Sequence, residues 1–175
     1  MSDASSATPS PQPTGGTGDP SQPQAPALHT LAQYMKDFSF ENPSPLESLS
    51  QPQSNSNINV TVSVDTQPVK DNAHEVTVGI RVQATAGEKT LFLVEASYAG
   101  LFALVNIPAE NQDPILRIHC PSLLFPFVRQ IAADAVRNGG FPPLYLNMVD
   151  FASIYQQQLQ GGSGGPATGN AAVQG

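Results

Sequence analysis

Residues 123–150, LLFPFVRQIAADAVRNGGFPPLYLNMVD, begin as an apolar helix, stop at a double glycine and pass through a proline-held loop into a second helix start. Leu124, Val128, Ile131, Ala132 and Ala135 recur at helical spacing and predict one buried face. Pro121-Ser122 predicts the entry, with Ser122 as N-cap and Pro126 in the first turn, where backbone N–H groups have no partner within the helix. Gly139-Gly140 predicts the stop. Pro142-Pro143 forbids helix in the next stretch, so Phe141, Leu144, Tyr145 and Leu146 project from extended backbone. Asp150 can cap a last helix carrying Phe151, Ile154, Tyr155 and Leu159.

Upstream the period changes from helical to two. Ile58, Val60, Val62 and Val64 alternate with Asn59, Thr61 and Ser63, and Val76, Val78, Ile80 and Val82 alternate with Thr77, Gly79 and Arg81. Residues 65–74, with Pro68 and Asp71-Asn72, predict the connection between them. The turn at Ala86–Lys89 leads to a third strand, Thr90–Tyr98, apolar on both faces. Leu101–Ile107 continues extended after Gly100, a candidate bend or bulge. Short connections make these strands antiparallel. Residues 31–41, LAQYMKDFSFE, suit helix by composition but alternate at Phe38 and Phe40, so helix and strand both stand open there. Residues 42–57 are rich in Pro, Ser, Gln and Asn and predict a long crossing loop. Strands first and helices second give an α+β fold, with helices against one sheet face.

The ends differ from this body. Residues 1–27 hold six of the 17 prolines and, after Met1, no Leu, Ile, Val, Phe or Tyr. Residues 156–175 are rich in Gln, Gly and Ala and carry no charge. Neither can bury enough apolar surface to offset the entropy of ordering, so both are expected to be disordered, leaving one domain at 28–155.

Charge excludes several partners. The net charge is −7, and residues 28–155 hold all seven Lys and Arg and 12 of the 14 acids. Nucleic acid needs clustered cations, and an anionic membrane surface needs the same, so neither is expected. No apolar run is long enough to span a bilayer, and the N-terminus lacks a signal-peptide pattern. The expected location is cytoplasmic. The single Cys120 cannot form an intrachain disulfide.

Catalytic chemistry finds no support. His119-Cys120 are neighbours, but His29 and His74 are isolated and no CxxC exists, so no zinc set is expected and Cys120 reads as an inert buried thiol. No GxGxxG, GxxxxGK[ST] or GxSxG occurs, and the Gly161–Gly165 string reads as a linker. Asn59-Val60-Thr61 matches a glycosylation sequon but reads most simply as strand. No cofactor and no enzyme activity are expected. Phe125, Phe127, Phe141, Tyr145, Phe151 and Tyr155 are partly core, and those on the proline-held loop are candidates for an exposed apolar groove. Asp37, Glu41 and Glu95 are either solvated charge on the sheet or an acidic patch for a basic partner.

Four segments taken in order resemble the SecB family of protein-export chaperones: YMKDFSFENP (34–43), VTVGIRVQAT (76–85), GEKTLFLVEASYAGLF (87–102) and HCPSLLFPFVRQIAADAVRNGGFPPLYLNMVDF (119–151). The resemblance implies a four-stranded antiparallel sheet with a crossover loop after the first strand and two helices behind it, which makes 31–41 strand. It implies a homotetramer, a dimer of dimers, with the long helix between dimers. It implies an ATP-independent chaperone that holds unfolded precursor proteins and delivers them to the SecA motor. Residue by residue, Asp37, Glu41, Leu93 and Glu95 would meet the basic, zinc-containing tail of SecA, so any zinc belongs to the partner. Phe141, Leu144, Tyr145, Leu146 and Tyr155 are the candidate groove for clients. A SecB-like chaperone serving a toxin–antitoxin pair is the alternative.

Overall fold

A computed structural model describes residues 25–50, 56–70, 72–161, 167–170 and 173–174. Four long strands form its centre: β1 (Ala27–Glu41), β2 (Asn57–Lys70), β3 (Ala73–Ala86) and β4 (Lys89–Val105). Their spatial order is β1-β4-β3-β2, all antiparallel. A short strand from the C-terminal segment pairs outside β2. The fold is α+β, as the sequence predicts.

Residues 31–41 are strand throughout, within β1. The alternation is hard to see because β1 slips register against β4 twice, between Thr30 and Ala32 and between Met35 and Asp37. Each slip inserts an extra residue, as β-bulges do. The expected 65–74 connection is largely strand: β2 runs through Pro68 to Lys70, β3 begins at Ala73, and Asn72 turns the chain at φ 63°. Pro68 is tolerated near the end of an outer strand. Gly100 marks neither bend nor bulge, since β4 pairs with β3 continuously past it. It marks a close approach: a Cβ there would lie 2.6 Å from the Phe102 ring and 2.9 Å from Leu124 Cδ2.

Helices cover one face. The crossing segment contains a six-residue helix, α1 (Pro45–Ser50), and the long helix begins earlier than expected. Helix α2 (Ala109–Pro114) runs through one π turn (Ile115–His119) into α3 (Cys120–Asn138) with helical backbone at each junction. Ser122 is therefore not an N-cap; its hydroxyl donates back to the Ile118 carbonyl at 2.7 Å. Pro126 lies inside the helix rather than in its first turn. The stop is where glycine predicts it. Gly140 takes φ 87°, its N–H bonds the Arg137 carbonyl, and the Phe141 N–H bonds the Val136 carbonyl at 3.2 Å. That pairing satisfies two carbonyls at the helix end. Beyond the prolines the chain forms a two-residue strand, β5 (Tyr145–Leu146). Asp150 caps α4 (Phe151–Gly161), accepting from the Ala152 and Ser153 N–H groups at 3.0 and 3.1 Å.

The core lies between sheet and helices. Val62, Val76, Val78, Val82, Val94, Phe102, Leu124, Phe125 and Val128 are fully enclosed. Cys120 is enclosed with them, and burial pushes its thiol up to about 12. The leader through residue 24 lies outside the described residues. Within the segment 156–175, α4 continues to Gly161, and two short strands succeed it, β6 (Ala167–Asn170) and β7 (Val173–Gln174).

Candidate functional site

Strand alternation places the other half of each strand on a face that no helix among the described residues covers. Register fixes which residues meet there: Glu41 lies beside Leu93, Ser39 beside Glu95 and Asp37 beside Ser97. On the far side of β4, Leu93 lies beside Gln83 and Glu95 beside Arg81. Asp37, Glu41, Leu93 and Glu95 thus share one corner of the open face, although 52 positions of chain separate Glu41 from Leu93. Arg81 Nη1 forms an ion pair with Glu95 Oε1, both side chains being roughly half exposed. Asp37 and Glu41 are exposed.

A second cluster on this face escaped the sequence reading. Glu75 is nearly enclosed and receives three donors: the Tyr34 hydroxyl, Lys36 Nζ and, at 2.6 Å, Gln67 Nε2. Its pKa falls to about 2, chiefly through the Lys36 hydrogen bond and then that from Tyr34. The same carboxylate raises the Tyr34 pKa. Tyr34 and Lys36 belong to β1 and Gln67 to β2, so the carboxylate of β3 ties the two outer strands together across the sheet. Lys36 is the extra residue of the second bulge, which turns it toward Glu75. No local pattern could have announced this, because the β1 partners lie 41 and 39 residues away.

The five groove candidates divide. Phe141, Leu144 and Leu146 are buried in the core, whereas Tyr145 is 65% exposed. The reason is alternation within extended backbone: 144 and 146 point in and 145 points out. Of the candidates on the proline-held loop, Tyr145 therefore presents the open surface. Tyr155 is half-buried, and its hydroxyl donates to Asp113 Oδ2 at 2.9 Å, which raises its pKa. Leu144, Tyr145 and Leu146 line a cavity of about 520 Å³ with Pro126, Arg129 and Ala133 of α3. Arg129 steadies its floor by donating to the Leu146 carbonyl at 3.3 Å.

A further apolar surface combines side chains of β1 and α3. Met35, Phe38, Leu123 and Phe127 are each 40% exposed or more. Phe127 stacks on Tyr98 at 5.3 Å between ring centroids, and Met35 pairs with Tyr98 across the β1–β4 ladder. Among the described residues, no group of three or more His, Cys, Asp or Glu is placed to hold a metal. No helix among them is long and apolar enough to cross a membrane.

The family model described as preprotein translocase subunit SecB matches residues 21–161. The chain belongs to the SecB family. It is 50% identical to the protein-export protein SecB of Xanthobacter autotrophicus over 82% of this chain and 92% of that one. It is 48% identical to the SecB of Rhodopseudomonas palustris strain TIE-1 over 84% and 94%. Among solved structures, a SecB-like chaperone of Mycobacterium tuberculosis, in complex with a ChAD peptide from the HigA1 antitoxin, superposes with a TM-score of 0.56. That likeness covers 70% of this chain and 90% of the other at 12% identity, and so shows a shared fold. Sequence similarity therefore runs to the export chaperones, and this SecB-family chain is read as one of them rather than as an antitoxin chaperone.

Proposed function

We propose that this SecB-family chain holds unfolded precursor proteins in the cytoplasm without ATP and delivers them to SecA. The observation that carries the hand-over is the corner of the open sheet face. Asp37, Glu41 and Glu95 gather there around Leu93, with no helix among the described residues above them. Three acids around an apolar contact suit a basic, partly apolar segment, the character of the SecA tail. Charge complementarity of this kind sets orientation and on-rate.

Client holding rests on apolar surface. Without nucleotide the cycle must run on reversible contacts, at roughly 25 cal/mol per Å² of apolar area buried. Tyr145 offers such area at the cavity under the proline loop, with Met148 against Arg129 of the same lining. A chaperone that binds only the unfolded form opposes folding by mass action. The apolar patch of Met35, Phe38, Leu123 and Phe127 supports self-association into a homotetramer, a dimer of dimers. Several copies would then multiply weak contacts through avidity.

Glu95→Lys, combined with Asp37→Lys, tests the division. SecA binding, followed by calorimetry, is expected to weaken at least tenfold, on the order expected for like-charge contacts. Delay in refolding of a denatured substrate should stay as in the parent chain. Unchanged SecA affinity, or equal loss of both activities, would refute the assignment of hand-over to this corner.

A further inference from the structure

The four central strands leave two outer edges, β1 and β2, and the chain covers one of them with its own C-terminal segment. Strand β6 pairs with β2, placing Ala167, Thr168, Gly169 and Asn170 beside Val64, Ser63, Val62 and Thr61. Strand β7 then pairs Val173 with Leu146 and Gln174 with Tyr145 of β5. One tail therefore occupies the sheet edge and the strand that lines the 520 Å³ cavity.

The covered part of β2 is the part that needs cover. Residues 57–64 read NINVTVSV, without charge, proline or glycine. Such an edge is a template for any extended chain. Asp65, Pro68 and Lys70 blunt only the second half of the strand. Strand β6 sits on Thr61–Val64, in the unblunted half.

The covering segment has the chemistry of unfolded polypeptide. No charged residue follows Asp150. Its pairing sequence, ATGN, contains Gly and Asn, which are depleted in strands. Main-chain hydrogen bonds then carry the pairing, and those are the sequence-independent part of strand addition. Four paired positions at one edge and two at the other make a short, dissociable contact. Covalent attachment still supplies an effective concentration around the millimolar range.

We propose that Ala167–Asn170 and Val173–Gln174 act as a resident stand-in for bound polypeptide, and that an extended unfolded segment displaces them to pair with β2 and β5. This rests on the reading that the chain holds unfolded proteins. It adds a site, the two strand edges, and a means by which the chain regulates access to it.

The test keeps the chain full length and replaces Thr168→Pro, Gly169→Pro and Val173→Pro, which removes ladder donors from both tail strands. Amide exchange of residues 61–64 and 145–146 is measured without client, and is expected to quicken about tenfold in the variant. Unchanged exchange overturns the proposal. Affinity for a permanently unfolded probe, reduced carboxymethylated α-lactalbumin, is expected to tighten roughly three- to tenfold, as removal of a tethered competitor predicts. The probe should also restore slow exchange at the same amides. Equal affinity in both chains leaves the holding function standing and defeats the displacement. Failure of the probe to bind either chain defeats the holding function, and the displacement with it.

Discussion

The two faces of the sheet are written by alternate residues of the same strands, yet they are built for opposite purposes. Toward the helices, β3 presents Val76, Val78, Ile80, Val82 and Ala84, all buried. Toward the open side it presents Glu75, Thr77, Gly79, Arg81 and Gln83. The first face carries stability, since burying a Val or Phe side chain is worth about 1.5–3 kcal/mol. The second is held by a few ion pairs and hydrogen bonds and leaves Asp37 and Glu41 exposed. A period of two lets one strand serve both, so substitutions one residue apart should have effects of different kind and size.

The largest effect belongs to the packed face. Phe102 is fully enclosed, and its ring fills the space that Gly100 leaves open beside Leu124. Phe102→Ala is expected to cost about 3–5 kcal/mol, because it removes the transfer energy and leaves a cavity. Urea unfolding measures it. A cost under about 1 kcal/mol would mean that helices and sheet are not held by this layer.

The comparison sharpens at Glu75, which lies on the open side but is nearly enclosed. Its folded pKa, about 2, lies below the ordinary glutamate value. A depressed pKa contributes stability that is fully present above the unfolded value, near 4.3, and is lost as pH falls through about 2. Lys36 is 40% exposed, so screening reduces the contribution to roughly 1–2 kcal/mol. Glu75→Gln should lose about that much at pH 7, and the gap from the parent chain should close between pH 5 and pH 2. A gap that does not narrow on acidification would show that the cluster holds β1 by shape rather than by charge.

This division explains which parts of the molecule could be read beforehand. Strands β2 and β3 have a clean period of two because one face is buried, and Val60 to Val64 and Val76 to Val82 showed it. Strand β1 did not, because the extra residues at Leu31 and Lys36 break the alternation and most of the strand is exposed. Helix α3 showed its face and its glycine stop. It hid its beginning, because Pro121-Ser122 has the composition of a cap while the backbone is already helical from Ala109. The acidic corner was reached through family resemblance, and no spacing would have joined Asp37 to Glu95. Glu75 was missed for the same reason: what ties it to β1 and β2 is the topology of the sheet.

The smallest effect on stability, and the finest test of the comparison, lies at Arg81. Its guanidinium pairs with Glu95, and 49% and 43% of the two side chains remain exposed. Exposed pairs contribute about 0.2–1 kcal/mol, so Arg81→Ala should change unfolding stability by no more than that. Its effect on recognition should run the other way. Removing the cation leaves Glu95 unpaired beside Asp37 and Glu41 and deepens the negative potential of the corner. A basic partner should then bind up to about fivefold more tightly at low ionic strength, the same fraction of a kcal/mol now available to the partner. The gain should shrink as added salt shortens the Debye length from about 30 Å at 0.01 M to about 8 Å at 0.15 M. Calorimetry against SecA at both ionic strengths, with urea unfolding of the same variant, measures the two effects together. Weaker binding would show that Arg81 itself contacts the partner. A loss of stability near that of Phe102→Ala would show that the open face carries the fold as well.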